Sequence, residues 1–154
     1  MIMDAVPPIE ELIPHRGTML LLDKVMEFEE KRALGECVPA RNAWYSDESG
    51  NMPAWIGIEL MAQTVAAHVA LLKRMKGLPP KMGILLGTRK YHSEAGSFIA
   101  GVNLKIRVVQ LFMDSGGMGA YECSIASGET IRATALLKVF EPESVELFLQ
   151  GYIS

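Results

Sequence analysis

The sequence predicts an α+β domain in which an antiparallel sheet wraps around one long central helix. The first observation is a segment of about 24 residues, from Pro53 to Gly77, that is apolar on nearly every side until Lys73. A helix that is apolar all round must be covered by other parts of the protein. The second observation is the order of elements, because strand-like segments precede this helix and a run of mostly sequential strands follows it.

Local signals justify the other elements. A short helical turn is predicted over residues 9–13, and Pro14 ends it. Apolar segments predict a strand over 19–28 and its partner over 33–38, whereas 39–52 has no periodicity and is typical of a loop. Glycine-containing turns separate the later strands, which are predicted over residues 82–86, 101–112, 119–126 and 130–140.

Composition indicates one globular domain over residues 1–154. The chain has 154 residues, is 49% hydrophobic and has a formal net charge of −3. Nucleic-acid-binding proteins typically have an excess of basic residues, whereas this chain is slightly acidic, so we expect no nucleic-acid partner. Cys37 and Cys123 lie far apart, without the spacing of a metal site. We therefore expect two reduced core thiols, no metal and no cofactor.

The distribution of apolar residues predicts no membrane partner. The longest uncharged apolar stretch runs from Leu60 to Leu72, which is shorter than the roughly 18 residues that a spanning helix needs. The first residues carry Asp4 and Glu10 where a signal peptide has a basic start and an apolar run. We expect a cytoplasmic protein.

Glu59 is the most informative residue, because it lies in the most apolar part of the predicted helix. Burying an unpaired carboxylate costs folding free energy, so a stable fold retains such a group mainly where it is paired with another group or takes part in function. We favour a functional role over a structural hydrogen bond. Gln63 follows at i+4 on the same helix face, where it could orient the carboxyl group or be a core amide.

None of the three histidines is an obvious partner for Glu59. His68 lies nine residues later, roughly 180° around the helix, and is expected to pack in the core or cap the helix. His92 is flanked by charged residues and is expected on the surface. His15 could reach the site only if the N-terminal turn folds over it.

Three ordered segments resemble the β-hydroxyacyl-(acyl carrier protein) dehydratase family of hotdog-fold proteins. Residues 12–25 begin with Leu-Ile-Pro-His-Arg and resemble the family's opening segment. Residues 59–63, Glu-Leu-Met-Ala-Gln, resemble its Glu-Ala-Met-Ala-Gln signature. Residues 87–104 take the place of a third family segment. Residues 53–59 look closer still to a divergent branch encoded in bacterial aryl-polyene gene clusters.

The resemblance implies a hotdog fold, dimers that pair sheets edge to edge, and a role in fatty acid or polyene synthesis. It also implies syn removal of water from a 3-hydroxyacyl thioester, carried by acyl carrier protein or coenzyme A. In the family a histidine takes the C2 proton and the helix carboxylate, here Glu59, is the acid toward the departing hydroxyl. Amides at the helix N-terminus, here near Ala54 and Trp55, would polarise the thioester carbonyl. Gln63 would complete the substrate site.

The sequence departs from the family pattern at the histidine. The family's His-Phe-Pro motif precedes the carboxylate by fourteen residues, a spacing that leads here to Tyr45. Tyr45 as a base would need a pKa lowered strongly from its usual value of about 10, and Asp47 is the nearest alternative base. Ala54 also replaces the glycine that normally follows the proline.

Three functional hypotheses follow, in this order of preference. The first is a dehydratase that uses Glu59 with an unusual second group. The second is a hotdog thioesterase, in which Glu59 activates water and no histidine is needed. The third, close behind the first, is a non-catalytic subunit that pairs with an active homologous dehydratase. The expected assembly is a homodimer or a heterodimer with such a homologue.

Overall fold

The protein folds around one long helix, as seen in a computed structural model that describes residues 5–79 and 83–141. Two short 3-10 turns, Ile9–Glu11 and Gly17–Met19, come first. The strands and the helix follow in this order: β1 (Lys24–Glu29), β2 (Arg32–Cys37), β3 (Met52–Pro53), α1 (Ile56–Met75), β4 (Ile84–Ser93), β5 (Ser97–Phe98), β6 (Leu104–Met113), β7 (Met118–Ser127) and β8 (Thr130–Phe140).

Six strands form one antiparallel sheet in the order β1-β2-β6-β7-β8-β4, and β3 pairs with β5 in a separate two-stranded ladder. The helix α1 packs on β2, β6 and β7, in the middle of the large sheet. This arrangement confirms the predicted α+β architecture of an antiparallel sheet around one central helix.

Alternation of side chains explains why the sheet covers the helix. In β6, Leu104, Ile106 and Val108 are buried, while the residues between them are more exposed. On β2, Gly35 lies directly under the helix, where an added Cβ would be 2.9 Å from Leu22 and 3.0 Å from Thr64. Glycine at this position therefore allows the close approach of α1 to the sheet.

Several element boundaries differ from the sequence prediction, and three of these differences have a clear physical reason. The helix begins at Ile56, and Pro53 belongs to β3, where it pairs with Ser97. The first strand begins later than predicted, at Lys24, because the Leu21 and Leu22 amides bond to the Gln63 side chain of α1 instead of to a strand. Strand β4 continues to Ser93, well beyond the predicted end, because its second half is polar and carries no hydrophobic signal. The predicted start of this strand, residue 82, lies outside the described residues.

The helix α1 is long and apolar enough, by length and composition alone, to cross a membrane. However, 56% of its most apolar 18-residue window is buried inside the protein, as in the core helix of a soluble protein. Cys37 and Cys123 are buried free thiols, and burial raises the pKa of each to about 12. Such thiols are unreactive core residues. No group of three potential metal-ligating residues occurs in residues 5–79 and 83–141.

His68 is a buried core residue, on the side of α1 that faces the sheet. Its Nδ1 lies 2.8 Å from the Tyr121 hydroxyl and its Nε2 lies 3.0 Å from the Glu29 carbonyl oxygen. Because a carbonyl can only accept, the ring proton lies on Nε2 and the Tyr121 hydroxyl donates to Nδ1. Burial lowers the pKa of His68, so the ring is neutral at pH 7.

Replacing His68 with glutamine should change how stability depends on pH. Burial disfavours protonation of His68 in the folded protein but not in the unfolded chain. The contribution of neutral His68 to the free energy of unfolding is therefore fully present above about pH 6.5 and is lost as the pH falls below that value. In urea titrations, the wild-type free energy of unfolding should fall by up to about 1.4 kcal/mol more per pH unit than that of the variant. Equal pH slopes between pH 5 and 7.5 would contradict this assignment.

Candidate functional site

Glu59 lies in the first turn of α1, on the side of the helix that faces away from the middle of the sheet. Its side chain is 39% exposed and lines a cavity. The prediction of a buried carboxylate is therefore wrong, because Leu60 and Met61 are buried in the core whereas Glu59 lines this cavity.

Gln63 holds the Glu59 carboxylate in place. Its amide nitrogen donates to Glu59 Oε1 at 3.0 Å and to the Met19 carbonyl oxygen at 2.8 Å. Its amide oxygen accepts from the backbone N–H groups of Leu21 and Leu22 at 3.1 and 3.0 Å. Gln63 is completely buried and its polar atoms are occupied, so it orients Glu59 and offers no group to a substrate.

His15, which was expected to reach the site only if the N-terminal turn folds over it, lies beside Glu59 in the structure. Its Nε2 lies 3.5 Å from Glu59 Oε1, and its side chain is 29% exposed. The N-terminal segment does fold over the start of α1, because Ile9, Leu12 and Ile13 are buried in the core. The buried apolar spacing around Pro14 was the signal that could have predicted this packing.

The cavity beside Glu59 has a volume of about 590 Å³ and is mostly apolar. It extends along α1 from Glu59 to Ala70, a length of roughly 16 Å at the rise of an α-helix. Small side chains form the helix wall, namely Ala62, Val65, Ala66, Val69 and Ala70. The opposite wall comes from the N-terminal segment and the sheet, and includes Leu12, Ile13, Leu85, Met113, Val139 and Phe140.

Tyr45 and Asp47, the two candidate bases, do not line this cavity. The Tyr45 hydroxyl accepts a hydrogen bond from the Ala40 N–H at 2.9 Å, and burial raises the pKa of Tyr45. A base would need the opposite shift, so the environment of Tyr45 gives that prediction no support. Asp47 is exposed and its Oδ1 accepts from the N–H groups of Ser49 and Asn51, which makes it a turn residue.

Of the two predicted carbonyl-polarising amides, that of Ala54 is already used. The Ala54 N–H donates to the Gly96 carbonyl oxygen at 2.9 Å, and the Ala54 carbonyl accepts from the Tyr91 hydroxyl. The prediction for Ala54 is therefore wrong, because its amide is bonded within the protein. Trp55 immediately precedes the helix, at the positive end of the helix dipole, and its side chain is 62% exposed.

The chain is similar to known dehydratases in sequence. A family model described as ApeP-like, ApeP dehydratase, matches residues 7–150. The 3-hydroxyacyl-[acyl-carrier-protein] dehydratase FabZ of Clostridium beijerinckii is 37% identical over 79 residues, which are 47% of this chain and 56% of that protein. FabZ of Bacillus cereus is 42% identical over 71 residues, 43% of this chain and 48% of that protein. The chain thus spans about half the length of the curated relatives it matches.

Solved structures share the fold. A chain of the dehydratase heterocomplex ApeI:P from Xenorhabdus doucetiae matches with a TM-score of 0.87 and 24% identity, covering 95% of this chain and 98% of that one. A hypothetical thioesterase protein with coenzyme A from Streptococcus pneumoniae matches with a TM-score of 0.61 and 13% identity, covering 77% and 84%. At these identities the likeness establishes the fold alone, and it confirms the hotdog fold. Because the family model covers nearly the whole chain, the protein belongs to the ApeP-like dehydratase family.

Proposed function

We propose that this protein removes water from a 3-hydroxyacyl thioester and that Glu59 is the acid that protonates the departing hydroxyl. The observation that carries this proposal is the position of Glu59, which Gln63 holds at the side of an apolar cavity along α1. An acyl chain suits such a cavity, and a carboxyl group beside it can exchange a proton with a substituent near the thioester.

The reaction breaks the C2–H and C3–O bonds and forms the C2–C3 double bond. The C2 proton goes to a base, the hydroxyl leaves with a proton from Glu59, and the products are a trans-2-enoyl thioester and water. The Trp55 amide, at the N-terminus of α1, is the proposed donor to the thioester carbonyl. The proposed carrier is acyl carrier protein, which the names of the FabZ relatives specify, or coenzyme A.

Filling the middle of the cavity should discriminate between acyl chain lengths. Ala66 lies on the helix wall, so Ala66→Phe should exclude about four methylene groups of a long acyl chain. Because each buried methylene contributes about 0.8 kcal/mol, kcat/KM for a long-chain substrate should fall about a hundredfold. The rate with a 3-hydroxybutyryl thioester is the internal control and should change little. Equal losses for both substrates would show that the acyl chain does not occupy this cavity.

A second subunit is proposed at the β4 edge of the sheet. Strand β4 pairs only with β8 among the described strands, and its Leu85 and Leu86 are 41% and 44% exposed. An exposed apolar edge strand favours pairing with another strand. The partner would be a second copy of this chain or a homologous dehydratase, since the neighbour from Xenorhabdus doucetiae is part of a heterocomplex.

The second candidate function is that of a non-catalytic partner subunit. The observation that favours it is Tyr45, which replaces the family histidine and whose pKa is raised instead of lowered. The two candidates differ in what the chain does alone.

The deciding experiment is incubation of a 3-hydroxyacyl thioester, on carrier protein and on coenzyme A, with the purified chain alone and with a homologous dehydratase. Mass spectrometry then follows the products. Loss of water with the chain alone supports the proposal, and loss of water only in the mixture supports the partner role. Release of the free acid would instead identify a thioesterase. An unchanged substrate in every mixture would contradict both candidates.

A further inference from the structure

We propose that Glu59 carries both proton transfers, first as base at C2 and then as acid at the C3 oxygen, and that His15 is the positioning residue that holds it. This inference rests on the proposed dehydratase function and explains how the reaction proceeds without the family histidine. It is carried by two side-chain nitrogen atoms that converge on one carboxylate oxygen, one of them through a hydrogen bond.

Two nitrogen atoms face Glu59 Oε1. The Gln63 amide nitrogen donates to it at 3.0 Å, and His15 Nε2 approaches it from the N-terminal segment at 3.5 Å. Donors of this kind stabilise an ionised carboxylate more than a protonated one. Distances in an empty catalytic site commonly shorten when substrate binds. The arrangement therefore favours a resting state in which Glu59 is ready to accept a proton.

The ring of His15 is suited to donate through Nε2 and poorly suited to accept there. Its Nδ1 is buried and has no hydrogen-bond partner among residues 5–79 and 83–141. A proton on Nδ1 would be a buried donor without an acceptor, which proteins rarely tolerate. The proton of the neutral ring therefore lies on Nε2, toward Glu59, and His15 is a donor to the carboxylate instead of the base at C2.

The backbone that carries His15 is held rigidly. The Arg16 guanidinium donates to the carbonyl oxygens of Glu10, Ile13 and His15 at 2.6, 2.7 and 2.6 Å. The Met19 carbonyl and the Leu21 and Leu22 amides bond to Gln63, the same side chain that holds Glu59. Gln63 thus links Glu59 to the chain segment that follows His15.

One carboxylate can complete a syn elimination because the two groups that leave lie on the same side of the C2–C3 bond. Glu59 takes the proton from C2, and the electron pair of the C2–H bond forms the double bond as the C3–O bond breaks. The same proton passes from Glu59 to the departing oxygen, which leaves as water. Glu59 is ionised again at the end, so no second base and no external proton are required.

The other titratable groups that line the cavity are Glu10, Glu11, Arg16 and Glu141. Glu141 is paired with Lys73 and Glu11 is paired with Arg74. His15 is the one histidine among the described residues that line the cavity.

The test compares His15→Gln with His15→Leu in the dehydration assay, using the full chain and a 3-hydroxyacyl thioester. Glutamine keeps an N–H donor near the position of Nε2 but cannot act as a base, whereas leucine removes the donor. We expect His15→Gln to stay within about threefold of wild type and His15→Leu to lose about ten- to hundredfold in kcat.

Glu122→Leu is the matched control, because Glu122 is an exposed residue of β7, an inner strand of the sheet away from the β4 edge. It should leave kcat unchanged, and circular dichroism should confirm that all three variants are folded. Equal large losses in both His15 variants would identify His15 as a base, since glutamine keeps the donor but cannot accept a proton, and would overturn the inference. Unchanged rates in both would also overturn it and leave the proposed function standing.

Assays of the chain alone and of the chain with a homologous dehydratase distinguish failure of the inference about Glu59 from failure of the proposed dehydratase function. Water loss by the chain alone supports Glu59 as the group for both transfers. Water loss that requires a homologous dehydratase and disappears with that partner's histidine would overturn this inference while the dehydratase function survives. No water loss in any combination would overturn the proposed function itself.

Discussion

Replacing Glu59 with glutamine should abolish water loss from a 3-hydroxyacyl thioester while leaving the protein folded. A single positioned proton-transfer group contributes about 10²- to 10⁴-fold to a rate, and the loss should reach at least the upper part of that range if Glu59 serves both steps. The amide oxygen of the new residue can still accept the hydrogen bond from Gln63. The substitution therefore removes proton exchange and preserves the contact that holds the side chain.

The measurement is product formation by mass spectrometry, with thermal unfolding as the test of folding. Glu122→Gln is the matched control, since Glu122 is an exposed residue of β7 on the outer face of the sheet and far from the cavity. It should keep the wild-type rate. Full turnover by Glu59→Gln would show that Glu59 is not part of the mechanism. If Glu59→Gln does not fold, Glu59→Asp provides the test instead, because it retains a displaced carboxylate and should keep a small part of the rate.

The fold was predictable because its strongest signals are local and periodic. The helix α1 is apolar over most of its surface, and β8 was predicted with its observed bounds. The short strands β3 and β5 could not be predicted, since two residues show no periodicity and their pairing depends on where the loops cross. The extension of β4 was missed for a related reason, because an edge strand with polar residues lacks the alternation that identifies a half-buried strand.

Within the candidate site, only the contacts between residues of the same secondary-structure element could be predicted from the sequence. The contact of Gln63 with Glu59 follows from helix geometry, because residues four apart share a face. The approach of His15 depends on how the N-terminal segment packs over α1, which involves residues more than forty positions apart. The use of the Ala54 amide depends on Gly96, again distant in sequence. Contacts between elements require the tertiary structure, and motif spacing alone does not contain them.

Replacing Gln63 with leucine should cause the largest loss of stability among the substitutions considered. Leucine leaves the Leu21 and Leu22 amides and the Met19 carbonyl without their partner. Each buried backbone group without a partner costs about 1–3 kcal/mol, so the free energy of unfolding should fall by about 3 kcal/mol or more. The same substitution frees the Glu59 carboxylate, so kcat should also fall in any fraction that remains folded.

Gln110→Leu provides the matched control for this loss. Gln110 is also a buried glutamine, but its side chain makes a single described hydrogen bond, to the Tyr121 hydroxyl at 3.2 Å. Its removal should cost about 1 kcal/mol and leave kcat unchanged, because Tyr121 lies on the sheet side of α1 and does not line the cavity. Urea titrations of the two variants give the comparison. If Gln63→Leu were no more destabilising than Gln110→Leu, the N-terminal segment would be held mainly by its buried apolar residues, and a structural link from this segment to Glu59 through Gln63 would be contradicted.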